Sequence, residues 1–184
     1  MLWVNLLMDT FAAMALASIP PSPDVMAEKP RKQGDFIITP AMRNAILGVG
    51  IAFIVLLMGL LAWMTTLPGG MDTHRLTVFF TVFVMLQFWN LFNAGVFGTD
   101  HSVFRDASRA KGLLWTALLI LAGQIIIVTF GGEVFRTEPL SLREWLLITA
   151  GTSLVLWTGE AWRAVARARH RKQARTARQS LRGR

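Results

Sequence analysis

Apolar residues in this chain come in long runs. Five stretches, at about 2–19, 45–65, 76–97, 113–130 and 145–162, carry few charges. Each is long enough, at 1.5 Å per residue, to cross a hydrocarbon layer of roughly 30 Å as a helix. The joints between them hold helix breakers: Pro20, Pro21, Pro23 and Pro30, then Pro68-Gly69-Gly70, then Gly95 and Gly98, then Gly131-Gly132. The pattern predicts an all-α fold, a polytopic membrane bundle of five transmembrane helices over 1–162, followed by a basic tail, 163–184. No internal repeat or second domain interrupts it.

Composition agrees with lipid as the solvent. Of 184 residues, 53% are hydrophobic and 16% charged, against roughly 25% charged in a soluble domain. Mean hydropathy is +0.46. The net charge of +8 suggests a nucleic-acid partner until its position is read: nine Lys or Arg and no acid lie between Arg163 and Arg184, so the rest of the chain is close to neutral. Such a tail is expected to anchor the topology and attract anionic lipid, at about 1 kcal/mol per basic residue. No nucleic acid is expected as partner.

The basic residues also orient the bundle. Sixteen of the 19 Lys and Arg fall in 20–43, 98–112 and the tail, and only Arg75, Arg136 and Arg143 in the alternate connections. The positive-inside rule then places the C-terminus in the cytoplasm and the N-terminal end on the other side. Trp63, Trp115, Trp145 and Trp162 stand near segment ends, as interfacial indoles do, whereas Trp89 and Trp157 lie inside segments and read as core aromatics. The N-terminus has neither a basic leader nor a small-residue cleavage site, so no signal peptide is expected. With no cysteine, disulfides, thiolate metal sites and a Cys nucleophile are excluded.

Polar residues within the apolar runs are the candidates for chemistry, because charge in a bilayer is costly. Asp9 is the clearest. Asn5 stands four residues earlier, so both oxygen-bearing side chains share one helix face, and paired hard oxygens suit a hard cation. Spacing alone leaves open that Asp9 sits at an interface or pairs with another helix. Gln87, Asn90 and Asn93, at i, i+3 and i+6, form a second stripe whose simplest role is tying helices together, with Gln87 the most central. Gln124 reads as similar glue, and Glu160 as the local ion-pair partner of Arg163. His74, His101 and His170 are read as lying in two loops and the tail, without a second ligand at zinc-like spacing. Phosphate-binding loops and soluble catalytic constellations are missing from the sequence.

The stretch Leu2-Trp3-Val4-Asn5-Leu6-Leu7-Met8-Asp9-Thr10-Phe11-Ala12-Ala13, followed by Ala15-Leu16-Ala17 and Pro20-Pro21, resembles the sixth transmembrane helix of P-type calcium-transporting ATPases of the plasma-membrane pump type. Lys29-Pro30-Arg31, Ile38 and Arg43-Asn44-Ala45-Ile46-Leu47-Gly48 resemble the next loop and the seventh helix. Phe83-Val84, Gln87 and Asn90 through Asn93 resemble the eighth. Gly131-Gly132, Val134-Phe135, Thr137, Pro139-Leu140 and Trp145 resemble the loop leading into the tenth.

The resemblance implies that the five segments are helices six to ten, with a cytoplasmic C-terminus. It implies that Asn5 and Asp9 are calcium ligands on a partly unwound helix, with Gln87 a weaker candidate. Two-site relatives have Thr before the Asp and Glu on the eighth helix. Met8 and Gln87 stand there instead, which favours the single-site type. The family's phosphorylated Asp-Lys-Thr-Gly sequence does not occur, so no catalytic activity is expected from this chain alone. Ca2+ would be the transported ion, and ATP and Mg2+ would serve only a complete pump. The expected partners are the bilayer, anionic lipids at the tail and the preceding part of such a pump, the chain being a truncated frame, an incompletely assembled gene or half of a split pump. A free-standing membrane protein that binds and regulates an intact pump is the alternative; an oligomeric passive cation channel is a weaker third.

Overall fold

The computed structural model describes residues 2–17, 38–97 and 111–182, with the side chains of residues 2–8, 41, 166 and 169–182 outside that description. Every regular element among them is helical: α1 (Leu2–Ala17), α2 (Pro40–Thr66), α3 (Thr73–Gly95), α4 (Lys111–Phe130), the single turn α5 (Gly132–Phe135) and α6 (Leu142–Arg182). Three of them, over Met42–Thr66, Thr73–Gly95 and Lys111–Phe130, are long and apolar enough to cross a membrane. Five spans were expected. α1 has 16 described residues, about 24 Å of helix and short of a full crossing. α6 starts apolar and becomes basic along a 41-residue helix of about 60 Å. The tail is therefore helical as far as Arg182.

Helix starts are set by caps that the apolar pattern does not report. Thr39 accepts from the Met42 N–H through its hydroxyl (3.2 Å) and is followed by Pro40 in the first turn of α2. Asp72 accepts from Arg75 N at 2.7 Å to start α3. Ser141 and Glu144 form a reciprocal capping box at α6: Glu144 N donates to Ser141 Oγ (3.3 Å), and Ser141 N donates to Glu144 Oε2 (2.8 Å). Consequently α2 begins at 40, α3 at 73 and α6 at 142, ahead of the predicted 45, 76 and 145. The turn between α2 and α3 uses Gly69 at φ +91 and Gly70 at φ +66, backbone that side chains other than glycine's rarely adopt. Arg75 folds back over it, donating to the carbonyls of Pro68 (2.7 Å) and Gly70.

α3 is the centre of the bundle, packing against α6, α4 and α1, with α2 joined near the hairpin. Phe80, Val84, Met85, Phe88 and Leu91 of α3 meet Leu113, Ala117 and Ile120 of α4, Ala15 of α1 and Ile148 of α6 in one buried cluster. A smaller patch joins Val96 to Leu156, flanked by Trp89 and Phe92. Of the described α2 side chains only Met64 is buried. In water such a helix would be a liability. In hydrocarbon its apolar surface is solvated, and packing and hydrogen bonds hold helices together instead. Trp63, Trp115 and Trp162 project outward. Trp157 does too, at 56% exposure, which corrects its reading as a core aromatic. Trp89 stays half-buried, edge-on to Phe88 with ring centroids 5.0 Å apart.

Candidate ion-facing helix and the polar ties of the bundle

α1 carries both sequence-predicted ligands. Asn5 and Asp9 lie one turn apart on an uninterrupted helix, so the unwound segment implied by the resemblance is not formed. Without neighbouring groups to bond them, backbone amides and carbonyls in apolar surroundings pair within their own helix. The Asn5 side chain lies outside the described residues. Asp9 is exposed. It shares a stripe with Ala12 and Leu16, at i, i+3 and i+7, and those two pack on the core cluster. The carboxylate thus continues a packed face to a level where no described element covers it. Among the described residues no group of three or more His, Cys, Asp or Glu converges as a metal site. Calcium takes six to eight oxygens, so Asn5 and Asp9 fit as part of a ligand set and not as the whole of one.

The α3 stripe divides by position. Gln87 and Asn90 are half-buried and hydrogen-bond no described residue. Asn93 ties helices as expected: its Nδ2 donates to Val155 O of α6 at 2.8 Å, and its Oδ1 accepts from Arg163 Nη2 at 2.8 Å. Arg163 Nη2 also donates to Glu160 Oε1 at 3.1 Å, and Arg167 Nη2 lies 3.9 Å from Glu160 Oε2. The side chains of Arg163 and Glu160 are only 13% and 12% exposed, so this ion pair is part of the helix contact. Gly159 permits it, because a Cβ there would overlap the Asn93 amide, with Cγ at 2.7 Å. Gln124 is buried glue between α4 and α3, its Nε2 donating to Thr81 Oγ1 at 3.3 Å while its Oε1 has no partner.

At the opposite end, His74 is not in a loop but in the first turn of α3. Its Nε2 lies 2.7 Å from Glu144 Oε1 in the first turn of α6, and its Nδ1 3.8 Å from Glu138 Oε2 in the intervening linker. The ring presents opposite nitrogens to the two carboxylates, so the three groups do not converge on one metal. Bonds from the Ser141 hydroxyl and N–H, then from His74, hold the Glu144 carboxyl at a pKa of about 2, below its ordinary 4.5. Glu138 N donates to Thr77 Oγ1 at 3.0 Å, and Thr137 Oγ1 to Ile127 O at 2.9 Å, which fastens the linker to α3 and α4. Pairs 70 residues apart, such as His74–Glu144 and Asn93–Arg163, leave no signal in spacing. The Ser-x-x-Glu box at 141–144 was the one visible hint. His101 and the side chain of His170 lie outside the described residues.

An all-helical bundle, three of whose helices are long and apolar enough to cross a bilayer and which is tied by buried amides, has the architecture of an integral membrane protein. A family profile described as cation transporting ATPase, C-terminus, matches residues 1–165. The chain is 35% identical over 169 residues to plasma membrane calcium-transporting ATPase 3 of Homo sapiens, covering 85% of this chain and 14% of that protein. It is 32% identical over 168 residues to plasma membrane calcium-transporting ATPase 2 of Oreochromis mossambicus, 85% and 15% of the two lengths. It is also 34% identical over 157 residues to calcium-transporting ATPase PAT1 of Dictyostelium discoideum, 79% and 14%. The chain therefore belongs to the C-terminal family of cation-transporting ATPases. It spans 14–15% of the length of these relatives.

Proposed function

We propose that this chain is the C-terminal membrane part of an ATP-driven calcium pump, in which α1 offers ion ligands and α2, α3, α4 and α6 support it. The observation that carries the reading is Asp9 on α1, uncovered at the level above a packed Ala12–Leu16 stripe, within a chain matched over 85% of its length by calcium-pump relatives. Asn5 and Asp9 would each give one side-chain oxygen to a dehydrated Ca2+. The remaining ligands would come from helices that precede this region in a pump, and Gln87, two turns from the Asn93 tie, is the weaker third candidate. Hydrolysis of ATP on Mg2+ requires an aspartate that accepts phosphate, and the 184 residues hold no Asp-Lys-Thr-Gly. The chain by itself neither hydrolyses ATP nor transports. The positive-inside distribution supports a cytoplasmic C-terminus; in that orientation the Asn93–Arg163–Glu160 ties would face the cytoplasm and the His74 cluster the other side. Calcium-stimulated ATP hydrolysis by the purified chain tests the reading: none is expected, and sustained turnover without a partner overturns it.

A further inference from the structure

The cluster at the hairpin end does more than hold two helices together. Histidine in its neutral form has one ring N–H, and the nitrogen facing a carboxylate at hydrogen-bond distance takes it. Here that nitrogen is Nε2, 2.7 Å from Glu144 Oε1. Nδ1 then carries a lone pair and points at a second carboxylate, Glu138 Oε2, 3.8 Å away. Two acceptors face each other across that gap. A second proton on the ring turns Nδ1 into a donor and the repulsion into a charge-assisted bond.

The surrounding charges leave this exchange to the three groups. On the α3 side, Arg75 is turned to the Pro68 and Gly70 carbonyls and Asp72 is engaged by Arg75 N. On α6 and its linker, Arg143 and Arg136 form no ion pair with the cluster among the described residues, nor does Glu133 on α5. The N-terminal ends of α3 and α6 both lie beside the ring and oppose its positive charge, while Glu138 and Glu144 favour it. Glu144 is already engaged twice by Ser141, so its position is the same for either form of the ring. Glu138 is the member that changes, and its own N–H anchors it to Thr77 of α3.

We infer that His74, Glu138 and Glu144 form a proton-operated clip at the hairpin end of the α3/α6 pair. The neutral ring joins α3 to α6 through Glu144. The doubly protonated ring also joins α3 to the linker, residues 136–141, through Glu138. The ligand is the proton, taken up by the imidazole at Nδ1, and the output is the tightness of the linker. This goes beyond the pump reading and does not depend on it.

The test uses the full chain in detergent micelles, with nitrogen NMR of the histidine rings across pH and with amide hydrogen exchange of residues 137–141, corrected for intrinsic rates. His101 and His170 serve as internal references. At high pH His74 is expected as the Nε2–H form. Acidification adds the Nδ1 proton and raises amide protection in the linker. Glu138→Gln is expected to abolish the pH dependence of linker protection while leaving the Nε2–H form of the ring at high pH and the reference rings unmoved. The Glu138 side chain is 53% exposed, so the variant keeps its fold. An Nδ1–H form at high pH, pH-dependent linker protection that persists in Glu138→Gln, or the same protection change in His74→Gln overturns the clip.

Discussion

Gly159→Ala is expected to loosen the contact between α3 and α6 in spite of alanine's better helix propensity. The added Cβ would occupy the space of the Asn93 amide, 2.7 Å from its Cγ and 2.9 Å from its Nδ2, and so displaces it from both of its partners. The bond from Asn93 to Val155 O is an interhelical one, which in lipid averages about 0.6 kcal/mol. The bond from Arg163 is to a charged group and contributes about 1.5–3 kcal/mol. Together these come to about 2–3.5 kcal/mol, and replacing a helical glycine by alanine returns about 0.5–1. The net cost is about 1–3 kcal/mol. Because all three of the nearest atoms belong to Asn93, the sign must reverse once that side chain is removed: in an Asn93→Ala background, Gly159→Ala should stabilise by about 0.5–1 kcal/mol. Denaturant-induced unfolding of the four members of this cycle in mixed micelles reads both numbers. A cost that is unchanged in the Asn93→Ala background, or a stabilising effect of Gly159→Ala alone, would refute the close-approach argument.

Three further outcomes follow from the same polar contacts. The Glu144 carboxyl is held at about 2 against an ordinary 4.5, so the stability it lends is fully present above about pH 4.5 and is lost as pH falls toward 2; Glu144→Gln should flatten an acid-unfolding curve in that window. Ser141→Ala removes the cap of α6 and the hydroxyl bond to the Glu144 carboxylate, and should cost about 1 kcal/mol in the same unfolding assay while raising the Glu144 midpoint. Thr81→Val leaves the buried Gln124 amide with no partner and should cost about 1–3 kcal/mol, most of which Gln124→Leu restores in the double variant, because two matched apolar groups leave no orphan.

The helices were legible because lipid-crossing segments announce themselves as long apolar runs. Their ends were less so: Thr39, Asp72 and Ser141 start helices with hydroxyl or carboxylate caps, and the polar first turns that follow, such as Thr73-His74-Arg75, carry no apolar signal. Residues within one helix were readable by spacing, as the Glu160–Arg163 pair shows. Residues brought together only by packing were not, so His74 was placed in a loop and Arg163 was treated as part of an anchoring tail, and nothing in the sequence marked Gly159 as the point of close approach to Asn93. Trp157 was misplaced for a related reason. Its position inside an apolar run says that it is surrounded by apolar matter, and lipid satisfies that as well as protein does. The candidate ligand pair on α1 came from the Asn5–Asp9 spacing and the family resemblance. The unwinding of that helix was not seen, since α1 closes its own backbone bonds where no neighbour offers others.

Calcium uptake by a chimaera is the most direct test of the central claim. Residues 1–165 would replace the matching segment of the human plasma membrane calcium-transporting ATPase 3, and the product would be reconstituted in sealed vesicles beside this chain alone. The account predicts ATP-driven uptake by the chimaera, its loss in Asp9→Asn, and no uptake by the chain alone. Uptake undiminished by Asp9→Asn, or ATP-driven uptake by the unaccompanied chain, would contradict it.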